Sequence, residues 1–244
     1  MGAPVDATEL TAIDDTLRRQ WLRLRTWISG LDDDALHRAS VLDGWTVEHL
    51  VAHLGRSLDA LAAVQPAAAG PRPLSLGEYL ATYTAAGADI DRITRELAAA
   101  IAPDRAGRLD AMAATAFAQV TQLRTAAPDV VVQARRGAIH LSDFLLSRLL
   151  ELVVHGDDLA RSLDRTSTGE EGPVDPAALR LVADSLLEVV VDRGGWDLEV
   201  VDPLAWTRLA CGRVPHDADG VARALSAHHT SDSVPDLGRT LPLL

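Results

Sequence analysis

Between Ala7 and Ser29 the chain sets Leu10, Ile13, Leu17, Trp21, Leu24 and Ile28 three or four residues apart, with mostly polar side chains between them. A period near 3.6 gives a helix one apolar face, and that face is stable only when it packs on another apolar surface. The same pattern returns along the chain. Thr46 is placed to cap a second helix from Val47 to about Val64, and Ser75 with Glu78 has the spacing of a capping box for a third that runs to about Ala102. A further helical stretch follows Pro103 to about Thr125, and a last long helix covers about Ser142 to Leu163. Most of this is the material of an antiparallel bundle. Strand character interrupts it at "DVVVQARRGAIHL", where β-branched residues flank Arg135-Arg136-Gly137 and predict a small hairpin or an extended lead-in to the last helix.

The end of the chain changes character. "DRTSTGEEGPVD" is a linker by composition, and its acid pair Glu170-Glu171 reads as part of that linker rather than as a general-acid dyad. Asp175-Pro176 then starts a helix to about Val191, Trp196 to Val201 alternates as a strand, Asp202-Pro203 restarts a helix to about Cys211, and "HDADGVARALSAH" predicts a short one. The expected organisation is mainly α, with a helical bundle over residues 1–165 and a small C-terminal α/β domain over 166–244.

Composition narrows the function. A formal net charge of -12 repels nucleic-acid phosphate and anionic lipid, so neither nucleic acid nor membrane is an expected partner. The start of the chain has no basic n-region before an apolar stretch, and no segment has the ~18 apolar residues of a membrane span, so the expected location is cytoplasmic. All 23 cationic side chains are arginine, which leaves no lysine for Schiff-base or P-loop chemistry. Cys211, the single cysteine, can form no internal disulfide and reads as a small buried hydrophobe.

Within the last bundle helix, "LLELVVHGDDLA" places Glu151, His155 and Asp158 on one stripe of an otherwise apolar run. Side chains at i and i+4 are neighbours on a helix, so Glu151 and His155 can converge on one ion. On the second helix, in "GWTVEHLVAHLGRS", His53 falls on the flank of the apolar stripe whereas His49 lies further toward solvent, which makes His53 the candidate third ligand. Two imidazoles and a carboxylate with open positions are the donor set of a catalytic zinc or non-haem iron site, and zinc is the expected ion, although iron and nickel also suit the set. On spacing alone, a solvated face or a helix ion pair accounts for Glu151 and His155 better than a metal does, and His53 alone reads as a partly buried core histidine.

Together, "GWTVEHLVAHLGRS" and "LLSRLLELVVHGDDLA" resemble the two signature segments of the mycothiol-dependent maleylpyruvate isomerase family, within the DinB-like metal-binding four-helix superfamily. The resemblance covers roughly residues 8 to 165, with a weaker likeness of the tail to the small C-terminal domain of that family. It implies a DinB-like four-helix bundle whose metal ligands fall on His53, Glu151 and His155, and mycothiol as the low-molecular-weight thiol cofactor. Asp158 takes the aspartate position of the family's E-x-x-x-H-x-x-D pattern, while Gly156-Asp157 stands where a tryptophan is often found. Asp158 is near enough in register to accept the second N–H of His155. Arg148 reads first as a helix ion pair and second as a group that orients Glu151 or binds an anionic substrate, and Arg213 first as a surface ion pair or backbone-carbonyl clamp and second as a contact to an anionic cofactor or substrate if the tail folds over the site. Trp45 reads first as a core anchor at the start of the second helix and second as a pocket wall. His140, His216 and the pair His228-His229 read as surface or structural.

The function expected from these features is a metal-dependent, mycothiol-using enzyme of the isomerase or thiol S-transferase type, in which the ion activates a thiol for addition to a small electrophile. Two other readings share the residues: a non-enzymatic module carrying a lipid or hydrophobic metabolite, and a metal-dependent hydrolase using activated water. Substrate and oligomeric state are not legible in the chain.

Overall fold

The computed structural model describes residues 4–70, 72–83, 87–127, 129–194, 196–228, 237–238 and 240–243. They form two compact units, Met1–Asp175 and Pro176–Leu244.

In the first unit, four long helices make the bundle: α1 (Ala7–Ser29), α3 (Val47–Ala63), α6 (Arg105–Ala126) and α7 (Leu141–Ser162). A short helix, α2 (Asp33–His37), lies in the polar link after α1, started by Asp32, whose carboxylate accepts from the Ala35 amide at 2.8 Å. Caps form where the side chains foretell them: Asp6 accepts from the amides of Thr8 and Glu9, and Thr46 and Ser75 each close a capping box, with His49 and Glu78 respectively. The stretch from Ser75 to Ala102, expected as one helix, is two. Helix α4 (Leu76–Leu80) ends in a turn, and α5 (Gly87–Ile101) packs on α3 outside the bundle, followed by a 3-10 turn at Ala102–Asp104. The bundle's third member is therefore α6.

Around the bundle, α3 packs on α6 and α7, and α7 on α1. The circuit closes between α1 and α6 through side chains: Arg25 meets Asp110 at 2.6 Å, and the buried carboxylate of Asp14 on α1 takes both Arg18 at 2.8 Å and Arg124 of α6 at 2.5 Å. Along α3, Leu50, Leu54 and Leu58 are fully buried. Gly55 lets the neighbouring helices close in, since a β-carbon there would stand 3.1 Å from Met112 Cε and 3.2 Å from Leu109 Cδ2 of α6.

The predicted hairpin is present. Strands β2 (Val131–Ala134) and β3 (Gly137–His140) pair antiparallel, Val132 opposite Ile139, and a two-residue β1 (Gln65–Pro66) adds to the β2 edge. The hairpin also starts α7. His140 supplies no side-chain cap there. Instead, Asp129 accepts from the Ser142 amide at 3.0 Å, from the Ser142 hydroxyl at 2.9 Å and from the Val5 amide at 3.0 Å, which ties α7 to the hairpin and to the lead into α1. The segment after α7, read from composition as a linker, is held down. Gln20, fully buried on α1, donates to the Pro173 carbonyl at 3.0 Å and accepts from the Asp175 amide at 2.8 Å, and Ser167 donates to Asp157.

The second unit contains α8 (Pro176–Gly194), β4 (Leu198–Val200), α9 (Pro203–Ala210), α10 (Ala218–Ala224) and β5 (Leu225–Ala227), with β4 and β5 antiparallel. Its core includes Trp206, whose indole donates to the Ala183 carbonyl at 3.0 Å, and Cys211 is buried as expected. Among the described residues no helix is long and apolar enough to cross a membrane.

Two substitutions test this packing. Leu54→Ala, at a fully buried site, is expected to lower unfolding free energy by about 2 to 5 kcal/mol, read from urea denaturation followed by circular dichroism. Gly156 of α7 faces Val174 Cγ2 and Leu24 Cδ2, which would lie 3.2 Å and 3.5 Å from an added β-carbon, so Gly156→Leu is expected to destabilise by roughly 1 to 3 kcal/mol in the same measurement.

Candidate metal centre

Helix α7 is buried on almost every side, because α1, α3, α4 and the hairpin all pack on it. Glu151 and His155, one turn apart, are each only 8% exposed. Opposite them, α3 presents His53. The Nε2 of His53 lies 3.3 Å from Glu151 Oε2, and the Nε2 of His155 lies 3.3 Å from the same oxygen. The two imidazoles meet edge to face with centroids 4.6 Å apart. One donor atom from each of the three residues falls within 4.8 Å of the other two.

That spacing fits a divalent ion. Donors about 2.1 Å from a tetrahedral centre stand about 3.4 Å from one another, close to both imidazole-to-carboxylate separations. The tautomers suit ligation too. His155 Nδ1 lies 3.0 Å from Asp158 Oδ2, and because a carboxylate only accepts, Nδ1 donates there and Nε2 is the nitrogen turned toward Glu151 and the cluster. His53 Nδ1 is 3.4 Å from the hydroxyl of the buried Thr94 on α5.

Electrostatics agree with the geometry. Burial, opposed in part by the hydrogen bond to Glu151, pushes the His53 imidazole down to about 4, so it is neutral with a free lone pair at neutral pH. Glu151 goes the other way: burial alone would raise it, but hydrogen bonds from His155 and His53 and the charge of Arg148 take it well below the ordinary carboxylate range. Burial also disfavours charge on His155, yet the hydrogen bonds to Asp158 and Glu151 outweigh it and raise that group. The carboxylate is thus held ionised in a place where an unpaired charge would cost several kcal/mol.

Of the residues singled out from sequence, His53, Glu151, His155 and Asp158 come together. Arg148 joins them: its guanidinium is buried, Nη2 stands 3.9 Å from Glu151 Oε1, and it donates to the Tyr83 hydroxyl. Trp45 is half-buried rather than core, its ring centroid 5.1 Å from that of His53 and its indole donating to Asp91 at 2.7 Å. Arg213 lies in the second unit, where it donates to the Cys211 carbonyl at 3.0 Å. His49 caps its own helix, His140 sits 3.4 Å from the Asp129 carbonyl, and His228 lies 3.9 Å from Asp197, all structural or peripheral placements. His229 lies outside the described residues. Thr94 and Tyr83 had no signal in the sequence, because each reaches the site only through the packing of the segment that follows α3.

Comparison with known proteins agrees with this architecture. No curated protein matches the chain in sequence. Among solved structures, a crystal structure of the mycothiol-dependent maleylpyruvate isomerase superposes with a TM-score of 0.55 over 93% of this chain and 95% of that one, at 16% identity, a likeness of fold. The family model described as the mycothiol maleylpyruvate isomerase N-terminal domain matches residues 17–160, a span that holds His53, Glu151, His155 and Asp158. By that match this chain, a helical bundle with three convergent donors between its second and last long helices, belongs to the mycothiol maleylpyruvate isomerase N-terminal domain family.

Proposed function

We propose that this chain is a metal-dependent enzyme of the isomerase or thiol S-transferase type that uses mycothiol against a small electrophile. The observation that carries the reading is the convergence of His53, Glu151 and His155 on one point, with Asp158 behind His155, in a chain of this family. These three side chains would hold the ion, and zinc suits two imidazoles and one carboxylate. When bound, a divalent ion supplies Lewis acidity that lowers the pKa of a coordinated thiol enough for thiolate to exist at neutral pH.

The protein's own contribution is positioning and charge. Asp158 keeps the proton on His155 Nδ1 and fixes the ring. Arg148 sets its charge beside Glu151, which favours the ionised carboxylate. Trp45 covers the His53 ring on one side, and Thr94 lies against its second nitrogen. No side chain of the triad is a nucleophile, and Cys211, buried in the second unit, supplies none. The thiol must therefore come from outside the chain.

Elemental analysis of protein reconstituted with zinc is expected to find one ion per chain, absent in His155→Ala. Zinc at a hundredfold excess over its Kd should stabilise the wild type by about 2.7 kcal/mol, a rise in Tm of roughly 5 to 10 °C, and leave His155→Ala unmoved. Activity should require added mycothiol; an isomerase returns the thiol and a transferase consumes it, so thiol titration separates the two. Failure to bind zinc overturns the reading, and turnover of an ester or amide without thiol replaces it with the hydrolase. Asp158→Asn is expected to keep the fold and weaken zinc binding by about 10- to 100-fold, measured by competition with a chelator.

A further inference from the structure

Arg148 stands on α7 three residues before Glu151, and both are buried, at 7% and 8% exposure. Buried charges are paired because leaving them alone is costly, and a charge-assisted N–H···O bond is about 2.7 to 2.9 Å long. Here the two charges stay apart. Arg148 Nη2 lies 3.9 Å from Glu151 Oε1, while the same nitrogen donates to the Tyr83 hydroxyl and Nε donates to Ser147 Oγ at 3.3 Å.

Other helix ion pairs of this chain show what such a gap means. Arg92 lies 3.7 Å from Asp89 but donates to Glu96 at 2.9 Å, and Arg180 lies 3.8 Å from Asp184 but donates to the Val200 carbonyl at 3.0 Å. Arg161 lies 3.8 Å from Asp158, whose carboxylate faces His155 at 3.0 Å. In each, a rival has taken one of the partners. For Arg148 the rival is Tyr83. Burial raises that phenol above its ordinary pKa, so it stays neutral and accepts from the guanidinium without adding a charge. Its ring is itself held: Arg136 lies over it at 4.1 Å from the centroid, and Tyr79 meets it edge to face at 5.9 Å.

The consequence falls on Glu151. Its Oε2 is 3.3 Å from Nε2 of both His53 and His155, and its Oε1 is the oxygen nearest Arg148. A guanidinium closed onto this carboxylate would be a competitor that any ion between the histidines has to displace. We propose that Tyr83 is a positioning residue that holds Arg148 back from Glu151 and so keeps that carboxylate open to a divalent ion. The holding stands on the geometry alone; its use for an ion rests on the proposed function.

Tyr83→Phe tests this, because it keeps the ring and the net charge and removes only the acceptor. A crystal structure of the metal-free variant is expected to place the Arg148 guanidinium about 2.9 Å from Glu151, against 3.9 Å here. Zinc affinity, read by competition with a chelator, should fall by about tenfold or more. Arg148→Met should bind zinc at least as tightly as the wild type, and Tyr83→Phe added to it should change nothing further, since no guanidinium is left to close. A tyrosine that served packing alone would weaken zinc equally in both backgrounds, and that result overturns the proposal. So does a guanidinium that keeps its distance in Tyr83→Phe, and so does closure that leaves zinc affinity unchanged. Should Arg148→Met fail to fold, the structure and zinc affinity of Tyr83→Phe decide by themselves. Closure in Tyr83→Phe of a protein whose wild type binds no zinc refutes the proposed function and leaves the holding role of Tyr83 standing.

Discussion

Glu151 is an ionised carboxylate on a helix packed from nearly every direction, and the rest of the site is arranged around that fact. Such a group costs several kcal/mol to bury unless charge and hydrogen bonds offset it. Here the offset comes from three directions: His155 one turn along the same helix, His53 across the interface with α3, and Arg148 one turn back. The apolar content of α7 supplies the packing energy, while the polar stripe requires that α3 lie at one rotation and one height. A slip of α3 by a single turn would place Arg56 or His49 opposite the carboxylate in place of His53.

The surrounding structure serves that register. Gly55 allows close approach at the α3–α6 contact, and the Asp129 hydrogen bonds fix where α7 begins. Further out, Trp45 and Arg95 tie the loop before α3 to α5, since the indole donates to Asp91, which also accepts from Arg95, and Arg95 reaches back to the Gly44 carbonyl at 2.7 Å. Through Thr94 and Trp45, α5 therefore bears on the His53 ring from two sides. A site buried between helices gains rigidity this way, and ligands preorganised by such neighbours bind an ion more tightly than the same residues on a mobile loop.

Where local physics decides, the chain was readable. Helix α1 runs over Ala7–Ser29 as its apolar period predicts, the caps at Thr46 and Ser75 form, and the hairpin turns at Arg135-Arg136. Glu151, His155 and Asp158 could be grouped because one helix spaces them. The misreadings fall where a distant partner overrides local preference. Neither glycine between Ser75 and Ala102 announces the break after Leu80, since Gly77 lies inside α4 and Gly87 begins the next helix. Leu225–Ala227, read as the end of a helix, is a strand because β4 offers its edge.

The sequence by itself determined the helical bundle, the stripe that carries Glu151, His155 and Asp158, and the choice of His53 over His49, because periodicity and capping are short-range and a helix face follows from spacing alone. Only the tertiary structure decided that Thr94 and Trp45 would brace His53, that Tyr83 would lie between Arg136 and Arg148, and that Arg148 would stand beside the Glu151 carboxylate. Apart from Trp45 with His53 and Arg148 with Glu151, those partners are tens of positions apart in the chain, and the free energy that joins them comes from packing whole helices together, a term that no local pattern of residues encodes.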